Sequence, residues 1–166
     1  MEGSQRQHQA RTSARRKALQ ILFQSEMTGR SPGSILSEGL CIDEVGIPCD
    51  FTRLLLEGVS THAPRIDALI AQTSENWSLD RMPLVDRSIL RLATFEMLCV
   101  DDIPYSVSIN EAVELAKSFG GEDESSRFVN GVLGRIASHL EEISGLDTQT
   151  TSKKAKSKRE KKAVHG

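Results

Sequence analysis

A chain of 166 residues, 38% hydrophobic and 27% charged, can bury one sizeable core, or two small lobes sharing one, but is too short for a binding module joined to a separate catalytic domain. Its longest strongly apolar stretch, Ile89 to Val100, is broken by Arg91 and Glu96, well short of the roughly 18 apolar residues that a membrane-spanning helix needs. The net charge of -2 is small only as an average, and it excludes neither a polyanionic partner nor a purely structural role.

Apolar residues recur at helical spacing and no run shows the alternation of a strand, so the pattern predicts an all-α fold of about seven helices in two small lobes sharing a core. The first helix is expected from about Ser13 to Thr28, with Thr12 as N-cap, Ala18, Ile21 and Leu22 inward, and a stop at Gly29. After a loop at Pro32 and Gly33, a short helix is expected from Ile35 to about Cys41. Asp50 then caps a helix with Phe51, Leu54, Leu55 and Val59 as its apolar stripe. Pro64 opens another that buries Ile66, Leu69 and Ile70. Trp77 and Leu79 are expected to pack at the joint before a long helix from Pro83 to about Val100. That helix turns Val85, Ile89, Leu92 and Cys99 inward and leaves Asp86 and Arg87 on its polar side.

Pro104 lies in a turn, and Ser108 with Glu111 spells a capping box for a helix ending at Gly120-Gly121. The last helix starts after Asp123 or Ser125 and presents Phe128, Val129, Val132, Leu133, Ile136 and Leu140, with Gly131 and Gly134 admitting a neighbouring helix closely. The domain reading is a basic mobile N-terminus at 1–12, a helical domain at 13–145 and a disordered basic tail at 146–166.

The charges are sorted along the chain. Residues 1–17 carry Arg6, Arg11, Arg15, Arg16 and Lys17 against Glu2, a net of +4, and the last sixteen residues carry a net of +6, leaving -12 for the segment between. Basic ends on an acidic body suit termini that reach a phosphate backbone while the body repels nonspecific nucleic acid. A lysine-rich end that only solubilises the chain is equally compatible with the pattern. Cys41, Cys49 and Cys99 match neither a disulfide framework nor a zinc site, and the four histidines are scattered, so no metal and no cofactor are expected. The acidic pairs fall at loops and helix starts, and no catalytic residue emerges; the chain reads as a non-enzyme. A polar N-terminus without a signal pattern points to the cytoplasm.

One segment is more specific. Ile103-Pro104-Tyr105 with Ile109-Asn110-Glu111-Ala112, Lys117-Ser118-Phe119-Gly120 and then Arg127-Phe128-Val129-Asn130-Gly131-Val132-Leu133 closely resembles the NusB family, and with Asp86-Arg87 and the arginine-bearing first helix the likeness spans roughly residues 11 to 140. The resemblance implies a transcription antitermination factor that binds single-stranded box A RNA of ribosomal RNA leaders together with NusE, a small-subunit ribosomal protein, within an RNA polymerase antitermination complex. It places Arg11, Arg15, Arg16, Phe23, Asp123, Ser125 and Phe128 at the RNA and Phe23 and Asp86 at NusE, and assigns Tyr105 and Asn110 to structure. It leaves a homodimer open. Two other readings remain at this point: a helical adaptor that binds only protein, and a detached RNA-binding module akin to those on ribosomal RNA cytosine methyltransferases.

Overall fold

The computed structural model describes residues 1–42, 46–75, 77–121 and 123–163, with side chains described as far as Leu146. Seven α-helices and one 3₁₀ turn make up the described residues, with no strand: α1 (Glu2–Thr28), α2 (Pro32–Ser37), α3 (Asp50–Thr61), α4 (Ala63–Thr73), the turn Leu79–Arg81, α5 (Leu84–Cys99), α6 (Tyr105–Phe119) and α7 (Asp123–Ala163). None of these helices is long and apolar enough to cross a membrane.

Local chemistry sets most of the boundaries. α1 stops where Gly29 takes φ 71° and donates its N–H to the Ser25 carbonyl, a left-handed cap that a side chain would strain. The Ser31 hydroxyl accepts from the Ser34 N–H at 3.1 Å, with Pro32 in the first turn of α2, so that helix begins earlier than its apolar residues suggest. Pro64 opens α4, and Pro83 and Pro104 stand immediately before α5 and α6.

α5 is the axis of the molecule, packing against α1, α3, α4, α6 and α7. All seven helices contribute to a single buried cluster, which includes Ala18, Ile35, Leu55, Ile66, Ile89, Leu92, Ala116, Val132 and Ile136. α3 approaches α5 closely at Gly58. A Cβ placed on Gly58 would sit 2.1 Å from the ring of the buried Phe95, so only glycine lets that ring lie against the α3 backbone. By contrast, Gly131 and Gly134 have nothing within 4 Å of an added Cβ and admit no neighbouring helix, contrary to the expectation from their spacing.

Other elements differ from the expected ones for identifiable reasons. α1 begins at Glu2, because the polar run before Thr12 continues the helix, and Thr12 is not a cap: its hydroxyl is shared between the His8 carbonyl and the Glu111 carboxylate, each at 3.0 Å. Asp50 is the first residue of α3, with Cys49 in the cap position and no side-chain cap. The stripe on α3 is rotated: Leu54 is exposed, while Thr52 and Leu56 are buried with Leu55 and Val59. Ser108 and Glu111 form no capping box, since α6 has already started at Tyr105 and both residues lie on its buried side. Cys99 is exposed at the end of α5, Trp77 is half exposed, and the backbone of α7 stays helical past Gly145 to Ala163.

Substituting Gly58→Ala should therefore lower stability by about 2–3 kcal/mol through overpacking against Phe95. Urea unfolding monitored by circular dichroism measures it, and Phe95→Leu added to the variant should restore part of the loss. An unchanged midpoint for Gly58→Ala alone would contradict this contact.

Candidate nucleic-acid interface

The arginines of α1 are distributed over its surface by the helical repeat, and they meet different surroundings. Arg15 is 2% exposed. Its Nε lies 3.1 and 2.9 Å from the two carboxylate oxygens of Glu96 on α5, and its Nη2 donates to Oε1 at 2.7 Å. Glu96 is equally buried, and Glu111 on α6 stands 3.8 Å from Nη1. Arg15 is therefore not on the surface, and the expectation that it lines the RNA contact is corrected: its charge is committed inside the protein. The ring of Phe51 completes this cluster, lying 5.5 Å from the Arg15 guanidinium and 5.1 Å from that of Arg11.

Arg11 and Arg16 do reach the surface. Arg11 donates to Asp102 at 2.9 Å, tying α1 to the turn between α5 and α6. The Arg16 guanidinium lies over Phe119 at 5.1 Å and within 3.5 Å of the Ser118 hydroxyl, at the end of α6. Phe23 stands seven residues beyond Arg16 on the same face of α1 and is 39% exposed. Near it Glu26 meets Arg87 at 3.4 Å and Arg91 at 3.1 Å, joining the end of α1 to α5. Arg91 is held above the ordinary guanidinium pKa. Burial opposes its charge, but the hydrogen bonds and charges of Asp67 and Glu26 outweigh that.

The second half of the surface is a trough of about 380 Å³ lined by Trp77, Met82, Pro83, Asp86, Gly120, Glu124, Ser125 and Phe128. Asp86 is 4% exposed, not on a polar face as its position suggested, and its carboxylate accepts a short hydrogen bond from the Ser125 hydroxyl. Gly120 is required at this corner, where a Cβ would meet Ser125 Oγ at 2.5 Å and the Ala116 carbonyl at 2.7 Å. Phe128 is half-buried against the core cluster and lines the trough. Asp123 is exposed at the first turn of α7, where its charge complements the helix dipole.

The fold thus brings Asp86, Ser125 and Phe128 into one trough, while Arg16 lies over Phe119, the residue before the trough-lining Gly120, and Phe23 stands further along α1. It sends Arg15 inward and Arg11 toward Asp102. Sequence reasoning missed Phe51, Phe119 and the exposed ring of Trp77. Trp77 carried a signal as a lone tryptophan beside a turn, and Phe119 as part of the Lys117-Ser118-Phe119-Gly120 motif.

An all-helical body with a trough walled by aromatic and apolar side chains, and with exposed guanidinium groups on its first helix, defines a class of small helical modules with a candidate binding surface rather than a catalytic centre. The NusB family model matches residues 12–138, and the chain belongs to the NusB family. It is 48% identical over 140 residues to the transcription antitermination protein NusB of Pelotomaculum thermopropionicum, covering 82% of this chain and 95% of that protein. The solved structure of T. maritima NusB superposes with a TM-score of 0.65 at 39% identity, covering 77% of this chain and 90% of that one. A solved complex of the antitermination factors NusB and NusE with dsRNA superposes with a TM-score of 0.65 at 24% identity, covering 79% of this chain and 98% of that one; at that identity it speaks for the fold.

The buried pair separates a structural arginine from a binding one. Glu96→Gln should cost about 3–5 kcal/mol by leaving the Arg15 charge uncompensated, whereas Arg15→Met combined with Glu96→Leu should fall close to wild type or above it. Thermal and urea unfolding give the stabilities, and RNA affinity of the folded double variant gives the second readout. A loss of affinity of about threefold or less in the folded double variant fits an Arg15 that positions α1 from within; a tenfold or greater loss at near wild-type stability would return its guanidinium to the RNA.

Proposed function

We propose that this protein is an RNA-binding transcription antitermination factor that recognises box A of ribosomal RNA leader transcripts together with NusE, and so helps RNA polymerase pass premature termination signals in the cytoplasm. The observation that carries this reading is the trough walled by Phe128 and bordered by Gly120, one residue after the Phe119 beneath Arg16. Ser125 and Asp86 lie in that trough, and Phe23 is exposed on the Arg16 face of α1. Family membership and the antitermination role named for its relatives support it.

In this reading the residues divide their work. Arg11 and Arg16 supply charge along the phosphates, and Phe128 offers a ring face to an unstacked base. Ser125 and Asp123 offer polar groups to base edges, and single-stranded RNA exposes those edges in a way a duplex does not. Phe23 and Asp86 face NusE, with Phe23 placed to touch both partners. Arg15 acts from within, holding α1 against α5 and α6 so that its neighbours on the helix stand at fixed positions. An α1 displaced by even one turn would separate Arg16 from Phe119.

Binding of a fluorescent box A RNA, a scrambled sequence and a duplex, with and without NusE across a range of salt, tests the proposal. Box A should bind preferentially and more tightly with NusE, with affinity falling steeply as salt rises. Phe128→Ala should weaken binding by about 1–3 kcal/mol while leaving the helical content unchanged. Equal, weak binding to all three RNAs would overturn the reading.

A further inference from the structure

A second cavity, of about 220 Å³, opens on the other side of Phe128. Arg127, Gly131 and Arg135 succeed one another at intervals of four residues and so share one face of α7, with Glu75 and Trp77 opposite. Nothing lies within 4 Å of a Cβ added to Gly131, so the floor between the two arginines is open. Arg127 is exposed and makes no hydrogen bond or ion pair among the described residues. Arg135 is anchored by one N–H to the Thr73 carbonyl at 2.8 Å, which leaves further donors on the same guanidinium.

Trp77 is 52% exposed, and its position at the surface is built rather than loose. The buried Ser74 hydroxyl is shared between the Ile70 carbonyl at 2.7 Å and the Trp77 carbonyl at 3.0 Å, and the Trp77 N–H returns to the Ser74 carbonyl at 3.3 Å. The backbone of Trp77 is thus tied to Ser74, and its ring is exposed to solvent. Trp77 and Phe128 line both this groove and the trough, so the two cavities meet across a pair of aromatic side chains.

We propose that the groove is a second nucleotide subsite, taking one nucleotide of the RNA strand that enters the trough, its base against Trp77 and its phosphate between Arg127 and Arg135. The proposal rests on the RNA reading of the trough. A stacking ring beside paired guanidinium groups is what a single-stranded nucleic acid requires at each bound nucleotide. Glu75 reduces the groove to one net positive charge, which fits one phosphate rather than a length of backbone.

Trp77 is the only tryptophan in the chain, so its emission reports this subsite directly. The full-length protein would be titrated with single-stranded RNA containing box A and flanking nucleotides, following RNA anisotropy and tryptophan emission in parallel. Emission should be quenched along the same curve as the anisotropy rises. Arg127→Ala with Arg135→Ala should weaken binding about tenfold, remove most of the quenching and reduce the salt slope by about 0.7 to 1.4. Gly131→Gln fills the groove while keeping both arginines, in a helix that tolerates glutamine better than glycine, and should also abolish the quenching. Phe128→Ala should bind more weakly yet still quench at saturation. Anisotropy that reports binding without quenching, or arginine variants that bind as wild type does, would overturn the subsite while leaving the trough intact. Absence of any RNA binding would overturn the interface reading and the subsite with it.

Discussion

The Arg15–Glu96 pair is the constraint on which the rest of the arrangement depends. It joins α1 to the central helix across 81 residues of sequence, and Glu111 draws α6 into the same cluster. Taking both ions out of water costs more than their attraction readily repays, so the pair is a weak source of net stability. Its value here is directional. A hydrophobic face on α1 would tolerate small rotations and slides, whereas a bidentate contact between a guanidinium and a carboxylate accepts one geometry. That geometry fixes which residues of α1 face outward, and so sets Arg16 over Phe119 and leaves Phe23 at the surface. Thr12 and Phe51 reinforce it, one by its contact with Glu111 and the other by packing under two arginines.

How far the sequence alone reveals this depends on the kind of residue. Apolar stripes with clear phase read correctly: Ile66, Leu69 and Ile70 on α4 and Val129 through Leu140 on α7 are buried as their spacing requires, and Gly29 ends α1 in the left-handed conformation. Phase failed on α3, where Leu54, Leu55 and Leu56 stand in a row and any could lead the stripe. The deciding contact is polar, the Thr52 hydroxyl donating to the Ala14 carbonyl at 3.1 Å. The capping-box pattern at Ser108 and Glu111 failed for a related reason. Its spacing of three residues is also the spacing of neighbours on a buried helix face, and Pro104 had already determined where α6 begins.

Buried charge was the least legible feature. Arg15, Asp86 and Glu96 look like surface residues to any scale that assigns charge to solvent, and each is buried because a partner distant in sequence compensates it. The family resemblance correctly marked the segments around Arg15, Asp86 and Phe128 as unusual, but it could not separate residues that contact a ligand from those that hold the contacting residues in place. The structure makes that separation for Arg15, whose donors point at Glu96. Phe128 packs its ring on the core and also borders the trough.

In the proposed RNA reading, the placement of Phe128 between core and trough would link stability to recognition. A ring fixed on one side by the core has little rotamer freedom left to lose when a base settles on the other side, so binding to it avoids part of the usual ordering cost. The acidic body away from these sites repels polyanions, and the cations that could attract them indiscriminately are restrained: Arg11 by Asp102, Arg15 by Glu96, Arg87 and Arg91 by Glu26. Nonspecific attraction by these arginines is thereby weakened over the helical body.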